Sequence, residues 1–307
     1  MSETQVALLR KYGLAVRGFK GQHLLVDPNI QRKIVELVDP QSGEWILEIG
    51  PGLGALTAEL LAAGAFVIAI EKDKRFCEIL EGELGQEYKD KLWIENADVL
   101  KADLGKLLRR AQSMAVGGAR SPRTTRGRGN PAPTNKIQRK IKIVSNLPYY
   151  VTSPILFWLI DNRSFLEKAV LMMQKEVARR LLAQPGDKDY SRLTLGVRYY
   201  GEVHRAFDVS RNCFTPKPEV DSSVLTIDFH PVSKLPKGIE EDFLFHLIQV
   251  AFGARRKILL NRLSHDPEIE KSRDELLKVL KTLGIQENAR GEELLLKDFI
   301  NLAERLR

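Results

Sequence analysis

Trp45-Ile46-Leu47-Glu48-Ile49-Gly50-Pro51-Gly52-Leu53-Gly54 decides the fold of this chain. Trp45–Ile49, apolar except for Glu48, reads as a short buried strand. The alternating glycines Gly50, Gly52 and Gly54 then supply a turn of positive φ, where backbone N–H groups can approach a ligand closely. Ala55–Ala63 follows as a helix that ends at Gly64. Strand, glycine loop and helix in this order are the first unit of a parallel α/β sheet. Upstream, residues 28–38 carry helical periodicity behind Asp27 as cap and Pro28 at the first helical position. Downstream, Phe66–Ile70 is a second strand closed by Glu71, Leu92–Glu95 a third ending before Asp98, Ile141–Ser145 a fourth and Ala169–Met173 a fifth. Strands alternating with helices predict a doubly wound parallel sheet. Val203–Val209 and Ser223–Phe229 bracket a proline-rich loop, which predicts an antiparallel far edge.

After His230-Pro231 the pattern changes. Phe243, Leu244, Leu247, Ile248, Ala251 and Phe252 recur at helical spacing, and helices are expected to the end. The expected division is therefore an α/β domain over 1–232 and a small helical domain over 233–307. Residues 109–140 form a basic insertion between the third and fourth strands. Its centre, 111–135, is rich in Ser, Gly, Pro, Thr and Arg and reads as disordered, because it cannot bury enough apolar surface to offset chain entropy. It fits either a tolerated surface loop or an arginine-rich arm that adds salt-sensitive RNA affinity.

Composition excludes several classes. The 307 residues are 43% hydrophobic and 29% charged, without a run near the ~20 apolar residues a membrane span requires. With no signal-peptide pattern, a cytoplasmic monomer without membrane attachment is the expectation. Cys77 and Cys213 stand far apart without a CxxC and read as reduced thiols. The five histidines form no HxxxH pair, so no metal site is expected. The net charge of +8 suggests a polyanionic partner. Residues 109–140, however, hold seven arginines, two lysines and no acid, which accounts for the whole excess.

The glycine loop alone suits NAD, FAD or S-adenosylmethionine. Glu71, ending the next strand, can accept both hydroxyls of a ribose, and Asp98 can accept from an adenine amino group. Acids around the pocket favour a sulfonium over a pyrophosphate. Either carboxylate could equally be a solvated strand end or a helix cap. Asn146-Leu147-Pro148-Tyr149, at the end of the fourth strand, indicates the chemistry. An exocyclic amine of adenine or cytosine is a poor nucleophile because its lone pair is delocalised. The side-chain oxygen of Asn146 and the carbonyl of Leu147 would accept from that amine and favour a tetrahedral nitrogen. Pro148 fixes its own φ and lacks a competing N–H, and Tyr149 would stack on a base flipped into the site. Phe214, in Phe214-Thr215-Pro216-Lys217-Pro218, fits either the second face of that base or a hydrophobic anchor for its loop.

With these motifs in place the chain resembles the ribosomal RNA adenine dimethyltransferase family, the KsgA group. The likeness extends over Gly21–Leu25, Glu48–Thr57, Ile70–Asp73, Asn96–Asp98, Asn146–Pro154, Leu171–Leu182, Phe214–Ser223 and Ala251–Leu263. It implies a Rossmann-like class I S-adenosylmethionine-dependent methyltransferase fold with a C-terminal helical domain. The implied reaction is N6,N6-dimethylation of two adjacent adenosines near the 3′ end of small-subunit rRNA, in the immature small subunit. By carry-over, His23, Leu25, Gly50, Gly52, Glu71, Asp98 and Asn146 would hold the cofactor, and Asn146, Leu147, Pro148, Tyr149 and Phe214 the target adenine. His23 and Leu24 depart from the family's usual Gly-Gln-Asn-Phe-Leu, and the 109–140 insertion has no common counterpart. Arg255, Arg256, Lys257 and Arg262 would contact rRNA phosphates. An Erm-type enzyme acting on large-subunit rRNA shares the fold and the Asn-x-Pro-Tyr loop; Ala251–Leu263 argues against it. An assembly factor that dispenses with catalysis would not need the intact Asn146–Tyr149 loop, and a NAD-linked dehydrogenase would need an acid/base pair that is absent.

Overall fold

The computed structural model describes residues 5–14, 23–117, 140–230, 235, 239–254 and 257–307. The chain divides into two compact units, Met1–Lys175 with His204–Phe229, and Glu176–Val203 with His230–Arg307. The first begins with α1 (Gln5–Lys11), β1 (Leu24–Leu25), α2 (Pro28–Val38), β2 (Trp45–Ile49), α3 (Ala55–Ala62), β3 (Phe66–Glu71), α4 (Lys74–Leu80) and β4 (Leu92–Asn96). It continues through α5 (Leu104–Gly117), β5 (Ile141–Asn146), α6 (Thr152–Asp161) and β6 (Leu166–Gln174). After α7 (Lys175–Leu182) and α8 (Arg192–Tyr200), β7 (Gly201–Val209), β8 (Phe214–Thr215) and β9 (Ser222–Phe229) complete the strands.

The main sheet runs β4-β3-β2-β5-β6-β9-β7. β4, β3, β2, β5 and β6 are mutually parallel, and β9 joins β6 antiparallel, as the proline-rich connection predicts. Helices on both faces explain why β2 and β3 are near-continuous apolar runs rather than alternating ones. Ile34, Val38, Ile46, Leu60, Val67, Ala69, Val144 and Val170 share one core beneath α2 and α3. α2 starts where the sequence sets it: the Asp27 carboxylate accepts from the Asn29 and Ile30 N–H groups at 2.9 and 3.3 Å, and Pro28 occupies the first turn. Such a cap is worth about 1 kcal/mol.

Two expectations need correction. α5 runs through Gly117, so the start of the 109–140 insertion is helical rather than disordered. Leu104, Leu107, Leu108 and Ala111 repeat at helical spacing and are buried, and Arg110 lies 5.4 Å over the Trp93 ring and 3.7 Å from Glu95 on the edge strand β4. This apolar stripe outweighs the polar composition that follows it. The remainder of the insertion, 118–139, lies outside the described residues. The boundary expected at 232/233 also lies outside them, and the second unit takes in Glu176–Val203 as well.

That second unit packs α8 with α9 (Glu241–Phe252), α10 (Leu259–Leu263), α11 (Arg273–Thr282) and α12 (Leu296–Leu306). Tyr190, Leu195 and Tyr199 join its core because their rings and branches face α9 and α12 residues such as Leu244, Leu247 and Phe299. The Tyr190 hydroxyl donates to the Leu294 carbonyl at 2.9 Å, and burial pushes its pKa up to about 12. A Cβ at Gly291 would stand 2.7 Å from the Ala251 carbonyl oxygen, so only glycine permits that close approach to α9. Among the described residues no helix is long and apolar enough to cross a membrane, and Cys77 and Cys213 are free thiols.

Glu48 is the acid buried deepest in the sheet, 2% exposed, with the Thr57 hydroxyl donating to it at 2.6 Å. Burial pushes its carboxyl up to about 8 against the opposing Thr57 hydrogen bond, and the charge of Glu71 adds to the rise. The unfolded chain therefore releases this proton from about pH 4.5, while the folded chain keeps it until about 8. Stability from this group falls as pH rises through that window and levels off above it. Glu48→Gln should thus gain melting temperature over the parent increasingly from pH 5 to pH 8; parallel pH profiles in thermal unfolding would refute this. Ala111→Asp, which puts a charge into the α5 contact where Ala111 is 1% exposed, should lower the apparent melting temperature by about 5 °C or more.

Candidate active site at the carboxyl edge of the sheet

The strand order reverses at β2. β3 and β4 lie on one side of it, β5 and β6 on the other. Open parallel sheets bind ligands in the crevice outside the carboxyl ends of their strands at such a switch point. The register brings the sequence-predicted residues to that edge. Ile49 pairs with Ile70 and with Ser145, Glu71 with Asn96, and Asn146 with Met172. The glycine loop, Glu71, Asp98 and Asn146 thus leave neighbouring strands at one level.

The loop after β2 has φ of +68°, +57° and +80° at Gly50, Gly52 and Gly54. A side chain at Gly54 would meet the Leu80 side chain at 2.5 Å, and one at Gly52 would meet Leu24 at 3.0 Å. Around Gly50 nothing lies within 4 Å of a would-be Cβ, so its backbone faces open space. Glu71 holds the loop from the next strand. Its carboxylate accepts from the Gly52 N–H at 3.2 Å and from the Asp73 N–H at 2.8 Å. Burial raises the Glu71 pKa, opposed by these backbone donors and increased by the charge of Asp73. A half-open glycine cradle flanked by a carboxyl group fits a cationic ligand carrying a diol, and S-adenosylmethionine is such a ligand.

Asp98 caps the turn Val99–Lys101 through the Leu100 N–H at 3.1 Å, and the Lys72 ammonium donates to it at 2.9 Å. The Lys72 hydrogen bond holds its pKa down, so Asp98 is an anion at neutral pH. Asp98 thus fills the helix-cap role, one of the two its position at the strand end allows.

The Asn146–Tyr149 loop is fixed at every residue. The Asn146 amide donates from Nδ2 to the His23 carbonyl at 2.9 Å, which leaves Oδ1 as the acceptor on its other side. The Leu147 N–H donates to the Met172 carbonyl at 2.9 Å, and its side chain is buried. The Pro148 carbonyl accepts from Val151 N–H at 3.1 Å and from the Thr152 hydroxyl at 3.3 Å. The Tyr149 hydroxyl shares a 2.8 Å hydrogen bond with Ser222 of β9. Burial raises the Tyr149 pKa, against that hydrogen bond, so the phenol stays neutral.

His23 has more to do than the sequence indicates. Its Nδ1 lies 2.7 Å from the Pro216 carbonyl and must donate to it, its own carbonyl holds Asn146, and its ring tilts against Tyr149 at 5.2 Å. What it offers a cofactor is therefore Nε2. The neighbouring β1–β8 ladder pairs Leu24 with Thr215 and Leu25 with Phe214, tying the 214–218 loop to the site. Phe214 itself is 4% exposed and packs with Leu25, Val209 and Val224, so this structure gives it the anchoring role. In the second unit Lys257 is exposed, whereas Arg262 donates from Nε to the Val250 carbonyl at 3.1 Å and closes the end of α9. Arg255 and Arg256 lie outside the described residues. Sequence reasoning missed Ser222, Lys72 and the neutral state of Glu48. Only Lys72, next to Glu71, carried a signal, as a cation between two predicted ligand-binding acids.

The Ribosomal RNA adenine dimethylase family model matches residues 14–307. Ribosomal RNA small subunit methyltransferase A of Moorella thermoacetica is 39% identical over 98% of this chain and 96% of its own length. The protein of the same name from Geobacillus thermodenitrificans is 37% identical over 97% and 94%. Among solved structures, a dimethyladenosine transferase from Plasmodium falciparum superposes with a TM-score of 0.69 at 28% identity, covering 91% of this chain and 96% of that one. The 23S rRNA methyltransferase ErmE, at 24% identity and a TM-score of 0.66, shares the fold. The fold is thus that of a class I methyltransferase, and the chain belongs to the ribosomal RNA adenine dimethylase family.

Proposed function

We infer that this protein dimethylates N6 of adenosine in small-subunit rRNA, using S-adenosylmethionine. The finer reading takes two adjacent adenosines near the 3′ end as targets, in an immature small subunit, with the enzyme acting as a cytoplasmic monomer. One observation carries the chemistry: the Asn146 amide is locked by His23, so that Oδ1 stands as an acceptor beside the glycine loop. The small-subunit names of the curated relatives favour this reading over the Erm type.

When bound, the cofactor supplies a methyl group on a sulfonium. The remaining work falls to the chain. Asn146 Oδ1 and the Leu147 carbonyl accept from the two N–H bonds of the target amine, drawing its lone pair out of the ring plane toward the methyl. The Leu147 N–H bond to Met172 keeps that peptide plane from turning away. Pro148 holds the loop's φ and offers no N–H that would compete for the acceptors. Tyr149, steadied by Ser222 and His23, presents a ring face for the flipped base. No general base is required, because the methylated amine becomes acidic and loses its proton after transfer. Catalysis is chiefly alignment. Leu25, Gly50, Gly52, Glu71 and Asp98 serve the cofactor, and Lys257 and Arg262 remain candidates for rRNA contact through the second unit.

Unmethylated small subunits, large subunits and their naked rRNAs should be incubated with labelled S-adenosylmethionine and their nucleosides analysed by mass spectrometry. Dimethyladenosine confined to small-subunit rRNA is expected, and label in large-subunit rRNA would overturn the assignment. Asn146→Ala should lower kcat by about 100-fold or more, as loss of one preorganised polar contact does elsewhere, while the melting temperature stays within a few degrees. Tyr149→Ala should lower kcat/KM for RNA by about 5- to 150-fold with cofactor affinity preserved in calorimetry; equal losses in both would make Tyr149 a structural residue.

A further inference from the structure

A helix flanking a sheet normally turns a charged face to solvent. α6 does not. Thr152, Ile155, Leu156, Trp158 and Leu159 are buried, and the opposite stripe, which continues the Asn146–Tyr149 loop, is Tyr150, Pro154 and Phe157. Tyr150 is 56% exposed and Phe157 53%, the most exposed large apolar side chains among the described residues. Neither the fold nor the reaction derived above uses them. Two lysines lie on neighbouring elements. Trp158 Nε1 donates to the Ala102 carbonyl at 3.2 Å, which holds α6 beside the turn Val99–Lys101 with its exposed Lys101. Lys72, whose side chain is 68% exposed, lies close enough to the Tyr150 hydroxyl for the two to interact electrostatically.

Exposed aromatic rings in series beside lysines are the chemistry of single-stranded nucleic acid binding: every base has a face to stack, and every phosphate a charge to neutralise. Aromatic rings also anchor protein interfaces, but those are depleted in lysine, so lysines beside the rings favour a polyanionic strand. We propose that Tyr150 and Phe157 form a stacking platform for the unpaired nucleotides that flank the target adenosine, with Lys72 and Lys101 against their phosphates. The proposal rests on the rRNA methyltransferase reading. It places the flanking strand one residue from Tyr149, so that stacking outside the pocket helps to pull the target base from its own strand. Tyr150 and Phe157 act on recognition of the strand and take no part in the transfer.

The test compares the parent with the Tyr150→Ala/Phe157→Ser double variant and with Tyr150→Trp. The readouts are methylation of unmethylated small subunits, anisotropy of a labelled unpaired RNA oligonucleotide, and cofactor calorimetry. The double variant should raise KM for RNA and weaken oligonucleotide binding by about tenfold or more, with kcat, cofactor affinity and melting temperature unchanged. Tyr150→Trp should retain parent affinity, and Lys101→Gln should flatten the salt dependence of binding. Unchanged oligonucleotide affinity would overturn the proposal, as would a loss of kcat with unchanged KM. Weaker binding to particles alone would also overturn it, by showing that the rings meet ribosomal protein. If the parent binds RNA without methylating it, the proposed reaction falls, and the anisotropy comparison still decides the platform.

Discussion

Parallel pairing of β2 with β5 is the constraint on which the rest depends. Ile49 lies opposite Ser145, and the Ser145 hydroxyl donates to the Ile49 carbonyl at 2.6 Å, a side-chain bond across the strands at the level where both end. That one register sets the glycine loop beside the Asn146–Tyr149 loop. A slip by a single residue would turn Asn146 to the opposite face of the sheet and bury its amide against a helix. Because the connections from β2 to β3 and from β5 to β6 lead to opposite sides of this pair, no crossover from either covers the edge between them. The crevice is therefore a property of topology before it is one of side chains.

Charge is arranged around that crevice by depth. Glu48, the deepest acid, is held neutral by burial; Glu71, nearer the edge, is wrapped in backbone N–H groups; Asp98, at the rim, is ionised by Lys72. The pKa values of Glu48 and Glu71 are raised and that of Asp98 is lowered because their surroundings differ in solvation and donors. The arrangement gives a cationic ligand an attractive rim without burying several unpaired negative charges beneath it, which would be costly in a low-dielectric interior. The Asn146–Tyr149 loop offers neutral acceptors and a neutral phenol instead. The acids and this loop therefore meet the crevice with different physics.

The first five strands of the main sheet, their order of use and the acids at their ends were legible, because each is written locally as an apolar run followed by a breaker or a carboxylate. Trp45–Ile49 and Asp27-Pro28 appear in the structure as read. What escaped the sequence depended on contacts between distant residues. His23 and Asn146 stand 123 positions apart, and nothing in either stretch announces that one carbonyl fixes the other's amide. Tyr149 and Ser222 are likewise joined only by the antiparallel return of β9. α5 was obscured for another reason: a local polar, arginine-rich composition masked the Leu104–Ala111 stripe that binds it to the sheet. For Phe214 the sequence left two roles open, and its burial, a tertiary quantity, favours the loop anchor.

The chain crosses between its units more than once. It leaves the sheet after β6, supplies Tyr190, Leu195 and Tyr199 to the helical core, returns for β7, β8 and β9, and leaves again. Neither unit is therefore a contiguous module that could be cut out at one linker. During synthesis, α8 emerges from the ribosome long before α9 and α12, the partners that bury it. Its apolar face waits unpaired until α9 and α12 have been made, while β9, needed to complete the sheet, also follows it. An enzyme whose substrate is itself part of a ribosome thus completes its helical core only after segments on both sides of the β7–β9 return have left its own ribosome.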